Sequence, residues 1–335
     1  MEFRRYFTTI DAHVGGEALR IITGGLPLMK GNTVGEWKKY FQHDYDSVRK
    51  VLMQEPRGHL GMNGCVITPP FSRDADFGVL FMHNDGYIPI CGYGIIAAVT
   101  VAIETRWIIE REPPHSGIVI DSLAGKIAAF AEFREKDVQA VSYVNVPSFV
   151  WKSDYPVTLD GKTVLADIAF GGAFYAMVNA DDLGLNLVVH DLPLLQRWGK
   201  RIKQFIESNL DVQHPSGKDF QGLAGVIFSG RPQKPDSHLR SVTIFANGQI
   251  ARSPCGTVTS AKMASLFKRG QLALNKDFVH ESITGSQFTG RITEWSNAGS
   301  EVTVVTRIKG RAFITGIHQF FVDPSDPLQQ GFVLR

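Results

Sequence analysis

The chain has 335 residues, 44% hydrophobic and 20% charged, with a formal net charge of +2. That length supports two domains with real cores, and a near-neutral charge with dispersed basic residues implies neither a nucleic-acid nor an anionic-membrane partner. The start, Met1-Glu2-Phe3-Arg4-Arg5-Tyr6, lacks the apolar core of a signal peptide, no apolar run approaches the ~20 residues of a membrane span, and three cysteines make no disulfide framework, so free thiols in a cytoplasmic protein are expected.

In chain order, residues 5–10 read as a strand, 11–17 as a turn and 19–23 as a second strand, ended by Gly24-Gly25-Leu26-Pro27. Residues 33–51 set Trp37, Tyr40, Phe41, Tyr45 and Val48 among charged residues, the pattern of an amphipathic surface helix. After the loop 55–59, strands are predicted over 62–68 and 78–83, then an apolar helix over 92–103. A Pro113-Pro114 turn precedes strands over 117–122, 127–133 and 140–146, the last after the charged run Arg134-Glu135-Lys136-Asp137. The crossing into a second half falls near residue 130. That half repeats the order: strands flanking Gly171-Gly172, a helix over 193–208, strands over 225–228 and 241–246, and a helix over 257–269. Strands over 278–288, 290–295, 302–308 and 312–322 close the chain.

Two stretches in this order carry chemistry. Ile90-Cys91-Gly92-Tyr93-Gly94 opens one small-residue helix, and Arg252-Ser253-Pro254-Cys255-Gly256-Thr257 opens another. A cysteine just before a helix meets unpaired backbone N–H groups and the positive end of the dipole, which favour thiolate and can also hold a ligand carboxylate. Small residues all round each helix predict that it is buried inside a wrapping of strands. The repeated Cys-Gly helix start suggests two halves of one pseudo-symmetric site. Cys65, between Gly64 and Val66, reads instead as core.

The motifs resemble those of the proline racemase family, which includes proline racemases, 4-hydroxyproline epimerases and trans-3-hydroxyproline dehydratases. The resemblance runs through residues 11–17 (Asp-Ala-His-Val-Gly-Gly-Glu), 55–59 (Glu-Pro-Arg-Gly-His), Cys91-Gly92, 252–257, 281–283 (Glu-Ser-Ile) and 323–328 (Asp-Pro-Ser-Asp-Pro-Leu). It implies an α/β, diaminopimelate-epimerase-like fold of two pseudo-symmetric domains, each with strands wrapped round a central helix. The expected division is 1–130, completed by 316–335, and 131–315. The resemblance further implies that Cys91 and Cys255 act as base and acid on opposite faces of an amino-acid α-carbon and exchange roles for the two enantiomers. Backbone N–H groups of Gly92, Tyr93, Gly256 and Thr257 would face the substrate carboxylate. That scheme needs no metal and no pyridoxal phosphate, and neither Gly15-Gly16, Gly24-Gly25 nor the ten histidines form a cofactor or metal fingerprint. A small-molecule substrate is expected, and a homodimer is compatible with the sequence.

Three positions depart from the family pattern. Ala251 stands where an aspartate normally receives the substrate ammonium, Tyr93 replaces a histidine after Cys-Gly, and Asn63 replaces a phenylalanine against the pyrrolidine ring, whereas Phe245 matches the opposite aromatic wall. An amide at 63 could accept a substrate hydroxyl, which favours 4-hydroxyproline over proline. Two alternatives stand beside an epimerase: a trans-3-hydroxyproline dehydratase, which in this family typically has threonine in place of Cys255, and a catalytically weak amino-acid-binding homologue. Asp11, His13, Glu17, Arg57, His59 and Glu281 are read as ion-pair, capping or hydrogen-bonding residues as readily as site residues.

Overall fold

The computed structural model describes residues 5–27, 30–108, 115–135, 137–215, 217–298 and 301–334. The predicted Pro113-Pro114 turn and Lys136 lie outside them. The chain divides into two compact units, Met1–Tyr143 with Arg311–Arg335, and Val144–Gly310.

The first unit opens with β1 (Arg5–Val14) and β2 (Glu17–Gly24), an antiparallel hairpin. Gly15 and Gly16, with φ of 60° and 91°, supply the left-handed pair that a two-residue hairpin turn demands. Residues 11–14, predicted as turn, therefore stay in the strand. The single helix predicted over 33–51 is two helices, α1 (Val34–Asp44) and α2 (Asp46–Met53). Thr33 caps α1, its hydroxyl accepting the Glu36 N–H at 3.1 Å. The break falls at Tyr45 because Asp46 anchors a new first turn, taking Arg49 at 2.7 Å and the Tyr87 hydroxyl at 2.9 Å.

Next come β3 (Asn63–Thr68), β4 (Phe77–His83), a short β5 (Gly86–Ile88), α3 (Gly92–Glu104), β6 (His115–Ser122), β7 (Gly125–Arg134) and β8 (Asp137–Val144). In β7, Ile127, Ala129 and Ala131 alternate inward, the period of two of a strand with one buried face. Helix α3 is buried from Gly92 to Ile103 and packs against β1, β2, β3 and β7. Its apolar side chains, Ile95, Ile96 and Val99 among them, each gain about 1.5–3 kcal/mol from burial.

The second unit comprises β9 (Ser148–Leu159), β10 (Lys162–Phe170), β11 (Phe174–Asn179), α4 (Leu192–Asn209), a small hairpin of β12 (Gln213–His214) and β13 (Gly217–Gln221), β14 (Leu223–Gly230), β15 (Leu239–Phe245), α5 (Gly256–Lys268), β16 (Asp277–Glu281), β17 (Gln287–Ala298) and β18 (Glu301–Gly310). The strand predicted over 278–288 is interrupted. Ser282 turns the chain there, its N–H donating to Ser286 O at 2.9 Å and its hydroxyl 2.8 Å from that of Ser286. Helix α5 packs against β9, β10, β11, β17 and β18, and α4 lays Leu195, Ile202 and Ile206 on the outside of β14 and β15.

The last strand, β19 (Ala312–Val322), belongs to the first unit and pairs with β1 from Arg5↔Val322 to Val14↔Ala312. The domain division thus falls after Tyr143, later than residue 130, because β7 remains paired with β6 and β8 with β7. It falls again after Gly310, earlier than 315, because all of β19 is committed to β1.

The two units share one topology. Along β19-β1-β2-β3-β4-β6-β7-β8 the pairings are antiparallel except β2–β3 and β4–β6. Along β9-β10-β11-β14-β15-β16-β17-β18 they are antiparallel except β11–β14 and β15–β16, in the same two places. In the second unit β18 also pairs with β9, closing the strands round α5. Among the described residues no helix is long and apolar enough to cross a membrane.

Candidate active site

Each unit's central helix begins with a cysteine at its N-cap, Cys91 before α3 and Cys255 before α5. The first intrahelical bonds end on these residues, Ile95 N–H donating to Cys91 O and Thr259 N–H to Cys255 O, both at 2.9 Å. The backbone amides of Gly92, Tyr93, Gly256 and Thr257 lie ahead of those bonds and have no intrahelical acceptor, so each helix start favours an anion.

Around Cys91 the packing is dense. The residue is 6% exposed and its backbone is extended, with φ of −135°. A Cβ on Gly94 would stand 2.6 Å from the Phe81 ring and 2.9 Å from the Cys91 sulfur, so only glycine leaves room for that sulfur over the first turn. Cys65 lies beneath, fully buried. Burial pushes its thiol pKa up, with a smaller contribution from Cys91, and it stays a neutral core residue as predicted. Tyr93 is buried on α3. Asn63 opens β3 half-buried, opposite His83, and its amide donates to Gly61 O at 3.2 Å.

Cys255 is held differently. Its φ of 56° with ψ of 127° is a conformation non-glycine residues rarely adopt, at a cost of order 1–3 kcal/mol. Several contacts hold it there. Its N–H donates to the Ser253 hydroxyl at 3.2 Å, and its sulfur lies 3.4 Å from the Thr257 hydroxyl, which is itself 2.9 Å from the Tyr175 hydroxyl. From below, Thr259 donates its hydroxyl to Cys255 O at 2.8 Å. That leaves Thr259 Oγ1 to accept from His280 Nδ1 at 2.9 Å, while His280 Nε2 accepts from Ser241 at 2.7 Å. His280 is fully buried, and burial with the nearby Lys262 charge holds its pKa down at about 3, so it is neutral.

Phe245 ends β15 and Ala251 lies on the segment that turns back along it, where Phe245 N–H donates to Gln249 O at 2.8 Å and Ala251 N–H to Thr243 O at 2.9 Å. Ala251 is 3% exposed. In the first unit, Cys91, Gly92 and Tyr93 share one helix start. In the second, Cys255, Gly256 and Thr257 share the other.

Tyr175, Thr259, His280 and Ser241 escaped the sequence reading, because none sits in a motif and Tyr175 precedes Thr257 by a whole sheet crossing. The sole signal was His280 standing next to the Glu281-Ser282-Ile283 stretch. The residues left open at the sequence level have contacts within the protein. Asp11 pairs with Arg20 at 2.8 Å, Arg57 with Asp326 at 3.4 Å, and Glu281 with Arg240 at 2.6 Å while accepting the Gln233 and Lys234 amides. His13 accepts the Gly16 N–H at 3.2 Å and stacks on Phe313, His59 Nδ1 lies 2.9 Å from Leu60 O, and Glu17 is buried in β2.

Strands wrapped round a central helix, twice over, define the diaminopimelate-epimerase-like fold. A hydroxyproline epimerase from Agrobacterium vitis, solved with trans-4-hydroxy-L-proline bound, matches it with a TM-score of 0.87 at 31% identity, over 100% of this chain and 96% of the other. The family described as Proline racemase matches residues 9–333, and the chain belongs to that family. A trans-3-hydroxy-L-proline dehydratase from Bacillus thuringiensis subsp. konkukian is 50% identical, and a proline racemase from Acetoanaerobium sticklandii 40% identical, each over 100% of both chains. The protein is therefore an enzyme of the racemase and epimerase kind, with a dehydratase among its relatives.

Proposed function

We propose that the protein inverts the α-carbon of a hydroxyproline, trans-4-hydroxy-L-proline in preference to proline, without a cofactor and with Cys91 and Cys255 as the two proton-transfer groups. The observation that carries this reading is the equivalence of the two cysteines, each the N-cap of the central helix in a unit of the same topology. One sulfur, as thiolate, removes the weakly acidic α-proton from one face, and the other, as thiol, delivers a proton to the opposite face. Amides at Gly92, Tyr93, Gly256 and Thr257 would stabilise the enediolate-like charge that builds on the substrate carboxylate. Asn63 and Phe245 would form the two walls against the ring. With Ala251 in place of an aspartate and Tyr93 in place of a histidine, the substrate amine is held weakly.

A second reading is dehydration of trans-3-hydroxy-L-proline, favoured by the 50% identity to the Bacillus enzyme. There one thiolate takes the α-proton, the C3–O bond breaks, and the hydroxyl leaves as water with a proton from a thiol. The product is an enamine that tautomerises to a pyrroline carboxylate. Retention of Cys255, a group able to reprotonate carbon, favours inversion.

Incubation in D2O with L-proline, trans-4-hydroxy-L-proline and trans-3-hydroxy-L-proline separates the readings. α-Deuteration with inversion is expected, abolished in Cys91→Ser and in Cys255→Ser. A pyrroline product from the 3-hydroxy isomer establishes dehydration instead, and neither outcome leaves a binding protein. Full turnover in either cysteine variant refutes the two-thiol scheme.

Thiol chemistry requires reduced sulfur, and we place the enzyme in the cytoplasm on that ground. A homodimer is the proposed assembly. It is supported by the exposed apolar side chains Tyr6, Phe313, Ile314, Ile317 and Phe321 along the paired β1 and β19. Light scattering tests it against the 37.0 kDa of one chain.

A further inference from the structure

The second unit contains a cleft of about 700 Å³ whose lining includes Lys262, Ser229, Arg231, Asp181 and Asp182. Lys262 lies on α5 seven residues beyond Cys255, roughly 10 Å further along the helix axis. We propose that this cleft is a ligand site separate from the cysteine and that it takes the zwitterion of a small amino acid.

Two observations point to a ligand. Lys262 makes no hydrogen bond or ion pair with any described residue, although it is partly buried against Asp167 and Arg269. Burial pushes its pKa down, opposed by Asp167, which marks an ammonium short of solvent and short of a partner. Ser229 is 5% exposed, and its buried hydroxyl has no hydrogen-bond partner. Both are donors, and a carboxylate satisfies donors.

The charges around them set the rest of the ligand. Arg269 is already matched by Asp154 and Asp167, each at 2.7 Å, and Ser265 donates to Asp167 at 2.6 Å. That leaves two cations, Lys262 and Arg231, against two anions, Asp181 and Asp182, which open a short turn at the exposed rim. A phosphate would meet the two aspartates, and a simple amine would meet Lys262. A carboxylate toward Lys262 with an ammonium toward Asp181 and Asp182 suits both signs.

Glycine is the probe, because it is a zwitterion that cannot be inverted and so gives no turnover. Binding of ¹³C-glycine to the full chain is followed by NMR titration. Saturable binding is expected, weakened about tenfold or more in Lys262→Met and in Asp182→Asn, and retained in Cys255→Ser. Acetate and methylammonium, each carrying one sign, should bind more weakly than glycine. Should Lys262→Met fail to fold, Asp182→Asn and Arg231→Gln carry the test from exposed positions. No saturable glycine binding, binding unchanged by the rim variants, binding lost only in Cys255→Ser, or acetate binding as tightly as glycine overturns the proposal.

Discussion

The ring of His280 lies 2.9 Å from the hydroxyl of Thr259, and that hydroxyl in turn supports the carbonyl of Cys255 at 2.8 Å. The relay Ser241–His280–Thr259 thus reaches a residue whose backbone is held at a positive φ, and it does so through a neutral imidazole. A fully buried histidine whose pKa is held at about 3, against 6.5 when unfolded, makes stability rise with pH across that interval. Its contribution is complete above about pH 6.5 and is lost as the pH falls toward 3. Urea unfolding should show the wild type losing about 2 kcal/mol more than His280→Gln between about pH 7.5 and pH 5. Equal pH slopes in the two proteins would show that the imidazole is not kept neutral by the fold.

Tyr175 acts one step further from the sulfur. Its hydroxyl is 2.9 Å from that of Thr257, which lies 3.4 Å from Cys255 Sγ. Tyr175→Phe should cost about 1 kcal/mol in stability through the lost hydrogen bond. If Thr257 orients the thiol, kcat should also fall, by roughly three- to tenfold, with KM little changed. A change in KM alone would place Tyr175 in substrate binding.

Gly171 is where the β10–β11 turn meets α5. A Cβ there would stand 2.1 Å from Thr257 O and 2.6 Å from Ala261 N, backbone atoms that cannot rotate away. Gly171→Ala should therefore displace the start of α5 and destabilise the protein by about 3 kcal/mol. A lower denaturation midpoint together with loss of activity is the expected pair of results. Native stability would show that the helix shifts at no cost.

Ala251 is buried, so Ala251→Asp takes a carboxylate out of water, which costs stability. The melting temperature of the free protein should drop. If this position receives the substrate amine, KM for cyclic amino acids should fall, and substrate should restore part of the lost stability. A rise in KM would show that the amine is held elsewhere.

Much of this protein was legible in local sequence. An apolar run of strand length located β7, and small apolar residues after Cys91 and Cys255 gave two buried helices, because both signals come from neighbours along one strand or one helix turn. The same locality marked the two cysteines as N-caps. The break at Tyr45 was not legible, since it depends on Asp46 meeting Tyr87 across more than forty residues. Nor was the interruption at Ser282, where serine and threonine hydroxyls brace a turn that Gly285, with a φ of 76°, closes by donating its N–H to Ser282 O at 3.0 Å.

The sequence by itself determined that two cysteines stand at two helix starts, with Ala251, Tyr93 and Asn63 beside the motifs, because capping and burial patterns are written in residues close together in the chain. Only the tertiary structure decided which groups surround each sulfur. Tyr175, His280 and Ser241 come to Cys255, through Thr257 and Thr259 on α5, from strands distant in sequence, and Arg57 and Glu281 are taken up by partners remote in the chain. Hydrogen bonds of that kind depend on which strands the fold sets side by side, and no local pattern records it.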